Sequence, residues 1–178
     1  MGSAVIRPAT EIDATAVAAI YAHHVAHGTA SFDREARSVA DTTAKIVECQ
    51  ARGWPFLVFE SDGEVSAYAY ATQFRDRPAY RFACEDSIYV RHDRRGRGIG
   101  SALLTALIAA AEAADFRQMI AVIGGGEPAS VALHAKAGFA HAGRMQSVGR
   151  KFGRWLDTVY MQRALDPGDS VPPQDEPA

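Results

Sequence analysis

The chain has 178 residues, 48% of them hydrophobic and 22% charged, with a formal net charge of −2. That composition fits one soluble globular domain and excludes a disordered or fibrous chain. A pI near 6.3 gives no basic face for nucleic acid, and no apolar run approaches the ~18 residues of a membrane span, so a small-molecule partner in the cytoplasm is expected.

In chain order, Ala4 to Ala9 reads as a first strand, and Thr10 with Asp13 three residues later reads as a helix-opening cap. Val17, Ile20, Tyr21 and Val25 fall on one helical face, and Gly28 is predicted as a left-handed stop. Ser38 with Asp41 opens a second helix, Ile46 and Cys49 give its apolar stripe, and Gly53 closes it. The period then changes. Pro55 to Ser61 and Val65 to Phe74 are strand-like around the turn Asp62-Gly63, and Tyr80 to Arg91 predicts a third long strand. Leu103, Leu104, Leu107, Ile108 and Ala111 form the broad apolar face of a third helix, and Met119 to Ile123 is a short buried strand, which together imply a βαβ crossover. A fourth helix over Ala129 to Ala137 and two strands, Phe139 to Val148 and Trp155 to Gln162, complete the order β-α-α-β-β-β-α-β-α-β-β. Residues 1–165 are thus expected to form one domain. Asp166 to Ala178, with four prolines, four acids and no base, is expected to be a disordered tail.

The chemical signal is Arg94-Arg95-Gly96-Arg97-Gly98-Ile99-Gly100-Ser101, set between a predicted strand and a predicted helix. Glycines let the backbone turn sharply and aim several N–H groups at one point, where the positive end of a helix adds attraction for a pyrophosphate. The spacing is GxGxG, not the dinucleotide GxGxxG. No acid ends a strand about twenty positions later and no Lys-Ser or Lys-Thr follows, which weakens NAD and ATP as ligands. Two cysteines, Cys49 and Cys84, exclude a disulfide framework and a CxxC pair. His23, His24, His27, His92 and His141 lack metal-ligand spacing with carboxylates or cysteines, so no metal site is expected.

Arg95, Gly98 and Gly100 match the coenzyme A signature of the GNAT N-acetyltransferases, which this sequence resembles over nearly its whole length in element order as well. Cys84 to Val90, Ala129 to His134 with Gly138-Phe139, and Lys151 to Asp157 look like the phosphinothricin and methionine sulfoximine acetyltransferase subfamily. The resemblance implies the GNAT fold: an α/β structure with a mostly antiparallel mixed sheet, one splayed parallel strand pair and four helices. It also implies acetyl-CoA as co-substrate, an amine substrate bearing a carboxylate, and a homodimer. Carried over by position, the backbone of Gly96, Arg97, Gly98, Ile99, Gly100 and Ser101 holds the pyrophosphate, and that of Ile88, Tyr89 and Val90 pairs with the pantetheine arm. Glu127 stands where many members carry Asn, and Ser130 is a cofactor neighbour or a helix cap.

Acyl transfer needs a neutral amine, so a base must take a proton from the substrate ammonium. The resemblance favours Glu85 for this role; Asp86 is a second candidate, but strand alternation sends the two to opposite faces, so that one looks into the cleft and the other reads as a surface ion pair. His134 occupies the position of a family tyrosine that protonates the leaving thiolate. Arg75 and Arg77 in the loop Arg75-Asp76-Arg77-Pro78 are predicted to clamp the substrate carboxylate, with Thr29, Ser31 and Phe32 as the facing wall. Cys84 alternates away from Glu85 and reads as core, which favours direct transfer over an acyl-enzyme. A peptide N-terminal acetyltransferase and a non-catalytic acetyl-CoA sensor stay open as alternatives.

Overall fold

In the computed structural model, which describes residues 4–173, a seven-stranded sheet separates two helical layers. The strands are β1 (Ala4–Pro8), β2 (Phe56–Ser61), β3 (Glu64–Gln73), β4 (Ala83–Val90), β5 (Gln118–Gly124), β6 (Ala140–Lys151) and β7 (Arg154–Ala164). The helices are α1 (Ala14–His27), α2 (Val39–Arg52), α3 (Ile99–Ala113) and α4 (Pro128–Lys136). The sheet order is β1-β2-β3-β4-β5-β7-β6, and every neighbouring pair is antiparallel except β4 with β5, which α3 connects. Among the described residues no helix is long and apolar enough to cross a membrane.

Alternation along β3 builds the two cores. Ala67, Ala69 and Ala71 face the side where α3 packs its fully buried Leu103, Leu104 and Leu107, and the small alanines leave room for them. Tyr68 and Tyr70 face the other way, into a cluster with Val17, Ile20 and Tyr21 of α1 and Ile46 and Cys49 of α2. Ser38 and Asp41 form the expected capping box at α2, which ends at Gly53 in the left-handed region.

Some local expectations change. Gly28 is extended, with φ −127° and ψ 168°, not left-handed. The chain leaves α1 toward β6, where Lys151 Nζ donates to the carbonyls of Gly28 at 3.0 Å and Ser31 at 2.9 Å. β4 starts at Ala83, not Tyr80, because Pro78 opens a 3-10 turn over Pro78–Tyr80. Residues 166–173 continue past β7 in turns, with Ser170 Oγ donating to the Pro167 carbonyl at 2.6 Å. The rest of the stretch expected as a tail, 174–178, lies outside the described residues.

Asp13 anchors the start of α1. Its carboxylate, 5% exposed, receives two bonds from the Arg7 guanidinium at 2.8 and 2.9 Å and one from the Thr10 N–H at 2.7 Å. The Arg7 bonds, ahead of the opposing burial, hold Asp13 below its ordinary value. Stability from a depressed carboxyl is present above the unfolded value and is lost as pH falls through the folded one. Arg7→Met, which strands Asp13 without its cation, is expected to cost about 2–3 kcal/mol at pH 7. Urea melts should show the deficit shrinking below about pH 4, where protonation of Asp13 weakens the native pair as well.

Candidate active site

The parallel pairing of β4 with β5 is short. It covers Ala83–Asp86 against Gln118–Ala121. Beyond it β4 stays with β3 as far as Val90, and β5 stays with β7 as far as Gly124, so the sheet forks after Asp86. Two cavities meet at this fork, of about 600 and 280 Å³, and share Ala30, Ile88, Tyr89 and Ser130 as walls.

The larger cavity runs from the fork to the start of α3. Gly96 and Gly98 have φ of 73° and 79°, a region that other residues enter at a cost, and Gly98 caps the helix. The turn leaves the first N–H groups of α3 without intrahelical acceptors and aims them at the cavity, which Arg95, Gly96, Gly98, Ile99, Gly100 and Ser101 line. This end therefore fits a phosphate-bearing ligand. Arg97 is exposed and outside the lining, whereas Arg94 is in it. His24 of α1 ties the wall together: Nε2 donates to the Val90 carbonyl at 2.9 Å and Nδ1 accepts from Arg95 Nη2 at 3.4 Å. Burial first, with the Arg95 charge, keeps the pKa of this ring below its ordinary value. Of the strand-edge groups expected to be available, the Val90 carbonyl is thus already engaged. Phe152, in the β6–β7 turn, and Arg154, at the start of β7, line it as well.

Glu127 is the N-cap of α4: its Oε2 accepts from the Ser130 N–H at 2.8 Å. Ser130 is therefore not the cap, and its hydroxyl is turned along α4 to within 3.4 Å of His134 Nδ1.

The smaller cavity holds the titratable groups. Glu85, with a side chain 33% exposed, lies 3.5 Å from Arg75 Nη1. Burial, helped by Asp86, raises its pKa above the ordinary value, against the pull of Arg75. Asp86 is not a surface pair. It is 7% exposed, and its Oδ2 lies 3.0 Å from Nε2 of His134, itself 2% exposed. The two carboxylates do alternate across β4, yet the fork opens both faces at once, so both line the cavity. Cys84 on the same strand is fully buried, and burial pushes its thiol far up.

Substrate-side expectations divide. Phe32 and Ser31 line the cavity. Arg75, Asp76, Arg77 and Pro78 are exposed and outside its lining, with Gln73 Nε2 fixing their loop through the carbonyls of Arg75 at 2.5 Å and Arg77 at 3.2 Å. A cation that sequence passes over is on the wall: Arg37, although exposed, lines the cavity, stacks 5.0 Å from the Tyr21 ring and donates to the Tyr70 hydroxyl at 3.2 Å. The Tyr21 hydroxyl, pushed up to about 12 by burial and by its bond to Asp33, completes that wall. Periodicity could place Tyr21 and Tyr70 on buried faces, but nothing around Arg37 marked it as bordering the cavity. Among the described residues no cluster of three His, Cys, Asp or Glu is placed to hold a metal.

A parallel pair parting above a glycine-rich helix start is the architecture of a GNAT-fold acetyltransferase. Residues 6–160 match the acetyltransferase (GNAT) domain family, and the chain belongs to it. It is 48% identical over 170 residues to a phosphinothricin N-acetyltransferase of Alcaligenes faecalis, covering 95% of this chain and 86% of that protein. It is 41% identical over 171 residues to an L-methionine sulfoximine/L-methionine sulfone acetyltransferase of Pseudomonas paraeruginosa, covering 96% and 99%. A crystal structure of a phosphinothricin acetyltransferase from Sinorhizobium meliloti with AcCoA superposes with a TM-score of 0.94 at 43% identity, covering 97% of this chain and 94% of that one. The chain is an N-acetyltransferase.

Proposed function

We propose that this enzyme moves the acetyl group of acetyl-CoA to the α-amino group of a small amino-acid-like substrate of the phosphinothricin, methionine sulfoximine or methionine sulfone type, by direct transfer in a ternary complex. The observation that carries the reading is the meeting of two cavities at the fork, one ending in the Gly96–Ser101 turn and the other holding Glu85. Acetyl-CoA supplies the acyl group as a thioester. The first-turn amides of α3 bind its pyrophosphate, Arg95 adds positive charge, and the free edge of Ile88 and Tyr89 orients the pantetheine arm. Glu85 takes the proton from the ammonium, and its raised pKa suits it to do so near neutrality. His134 supplies the proton that the departing thiolate needs. Arg75, held beside Glu85, and Arg37 on the cavity wall are the cations available to a substrate carboxylate or phosphinate. The fully buried Cys84, its thiol raised far from reactivity, supports transfer without an acyl-enzyme.

The same reading makes the protein a cytoplasmic homodimer. The β6–β7 ribbon at the sheet edge, with Met145, Val148 and Trp155 exposed, is the face offered to a second copy.

Free-thiol release from acetyl-CoA, measured over phosphinothricin, methionine sulfoximine, methionine sulfone, common amino acids, an aminoglycoside and a peptide, tests the substrate class. Turnover concentrated on the first three is the expected result. Turnover on the peptide alone, or acetyl-CoA binding with no turnover on any amine, would replace this reading with one of its two alternatives.

A further inference from the structure

The Asp86–His134 pair extends one residue further than a simple ion pair. The Ser130 carbonyl lies 2.7 Å from His134 Nδ1 and can only accept, so Nδ1 carries a proton. Nε2 faces the Asp86 carboxylate at 3.0 Å. A ring between two acceptors is satisfied when both nitrogens are protonated. Burial opposes the charge, but the bond and the charge of Asp86 together with the Ser130 carbonyl outweigh it and hold His134 above its ordinary value. Among the described residues the surroundings add no competing charge. β5 has no titratable residue, Arg163 of β7 is turned to the Ala137 carbonyl, and Phe139 presents a ring 5.0 Å away, edge to face. Glu127 is occupied capping α4, Lys136 is exposed at the other end of that helix, and Glu85 lies on the opposite face of β4.

Two features aim this pair at the reaction. Asp86 Oδ1 is buried without a hydrogen-bond partner among the described residues although Asp86 lines the smaller cavity, an unpaired acceptor that the His134 bond alone does not account for. Ser130, whose hydroxyl lies 3.4 Å from the protonated Nδ1, lines both cavities.

We propose that Asp86, His134 and Ser130 form a proton-delivery chain ending where the cavities meet: the Ser130 hydroxyl protonates the departing coenzyme A thiolate and is resupplied from His134 Nδ1, while Asp86 is the positioning residue that keeps the ring doubly protonated. This rests on the acetyl-transfer reading above. As the carbon–sulfur bond breaks, sulfur keeps the electron pair and takes the Ser130 proton. Ser130 takes the Nδ1 proton, which gives up its bond to the Ser130 carbonyl, and the neutral ring, with its Nε2–H on Asp86, accepts from the Ser130 hydroxyl at Nδ1 until it is reprotonated. The amine nitrogen loses two protons through Glu85, the sulfur gains one, and His134 regains one from solvent, so one proton is released per turnover.

Asp86→Asn keeps the shape and satisfies a neutral His134 through its amide, so the variant is expected to fold. Imidazole NMR of 15N-histidine-labelled protein without ligands should show His134 charged above its ordinary pH range in the wild type and neutral at pH 7 in Asp86→Asn. A His134 already neutral at pH 6.5, or one whose titration ignores the substitution, overturns the role of Asp86. In kinetics, Asp86→Asn should move the alkaline limb of kcat to lower pH. Ser130→Ala should lower kcat about tenfold or more, Ser130→Thr should restore most of it, and the acetyl-CoA Kd should stay within about twofold. Full kcat in Ser130→Ala removes the relay. A wild-type protein that neither binds acetyl-CoA nor releases thiol would instead remove the acetyl-transfer reading, an outcome distinguishable because the NMR titration needs neither.

Discussion

Glu85→Gln is expected to lower kcat by about 10²- to 10⁴-fold, the range spanned by loss of a positioned general base. Glutamine keeps the length and polarity of the side chain, so the drop isolates the basic lone pair. Glu85 pairs in register with Thr72 on β3 and Ile120 on β5, one residue short of the fork. It is therefore held by the last regular stretch of sheet while its carboxylate reaches the cavity. Its environment sets a pH signature too. Burial leads in raising its pKa and Asp86 adds to it, while Arg75 at 3.5 Å opposes them. A base works deprotonated, so activity should rise with pH through this raised value and the acid limb of kcat/KM should lie above that of an exposed glutamate. In Glu85→Gln that limb should vanish, with acetyl-CoA affinity unchanged because the pyrophosphate end lies at the other end of the larger cavity. An unaltered rate would take Glu85 out of the chemistry and leave Asp86, on the other face of β4, as the remaining carboxylate at the fork.

Much of this architecture is legible in the sequence because each element carries its own local signal. The 3.6-residue stripe of α3, the capping pair Ser38 and Asp41, the Asp62-Gly63 turn and the short run of β5 each yield one answer, and the element order follows from them. Resemblance adds the splayed pair; the register shows where it parts, after Asp86. What stays hidden is set by residues distant in sequence. Asp86 reads as a surface acid because its partner, His134, is 48 positions away on another element. Arg75 and Arg77 look inward because their loop precedes the Glu85 strand, yet the Pro78 turn and Gln73 hold the loop outside the cavity wall. Arg37 borders the cavity only because α1, β3 and the 29–37 segment converge to bring Tyr21 and Tyr70 against it. Gly28 fails as a left-handed stop for a related reason: its N–H still bonds to the His24 carbonyl, but Lys151, distant in sequence, holds the Gly28 and Ser31 carbonyls and keeps the chain extended there.

The same convergence makes Gly149 a determinant of substrate binding, and Gly149→Ala should raise the KM for the amine about tenfold, equivalent to roughly 1.4 kcal/mol. Gly149 sits in β6 opposite Leu156, and nothing in the sequence sets it apart from Gly143, the other glycine of that strand. In space the Phe32 ring lies flat against it. A Cβ at 149 would fall 2.2, 2.6 and 2.8 Å from three ring carbons, while one at Gly124 would stand 3.1 Å from a fourth. The ring lies between two glycines and is 37% exposed, so a methyl group at 149 must push it off this position, and overpacking of this kind costs about 1–3 kcal/mol. Displaced, Phe32 moves either into the smaller cavity, where it competes with substrate, or outward, where it stops closing the wall. Both outcomes raise the KM for the amine and leave that for acetyl-CoA within about twofold, since Phe32 borders the smaller cavity and not the larger. A double-mutant cycle tests the route: if Gly149 acts through Phe32, adding Gly149→Ala to Phe32→Ala should change KM no further, whereas additive losses would show that the methyl group perturbs β6 by itself.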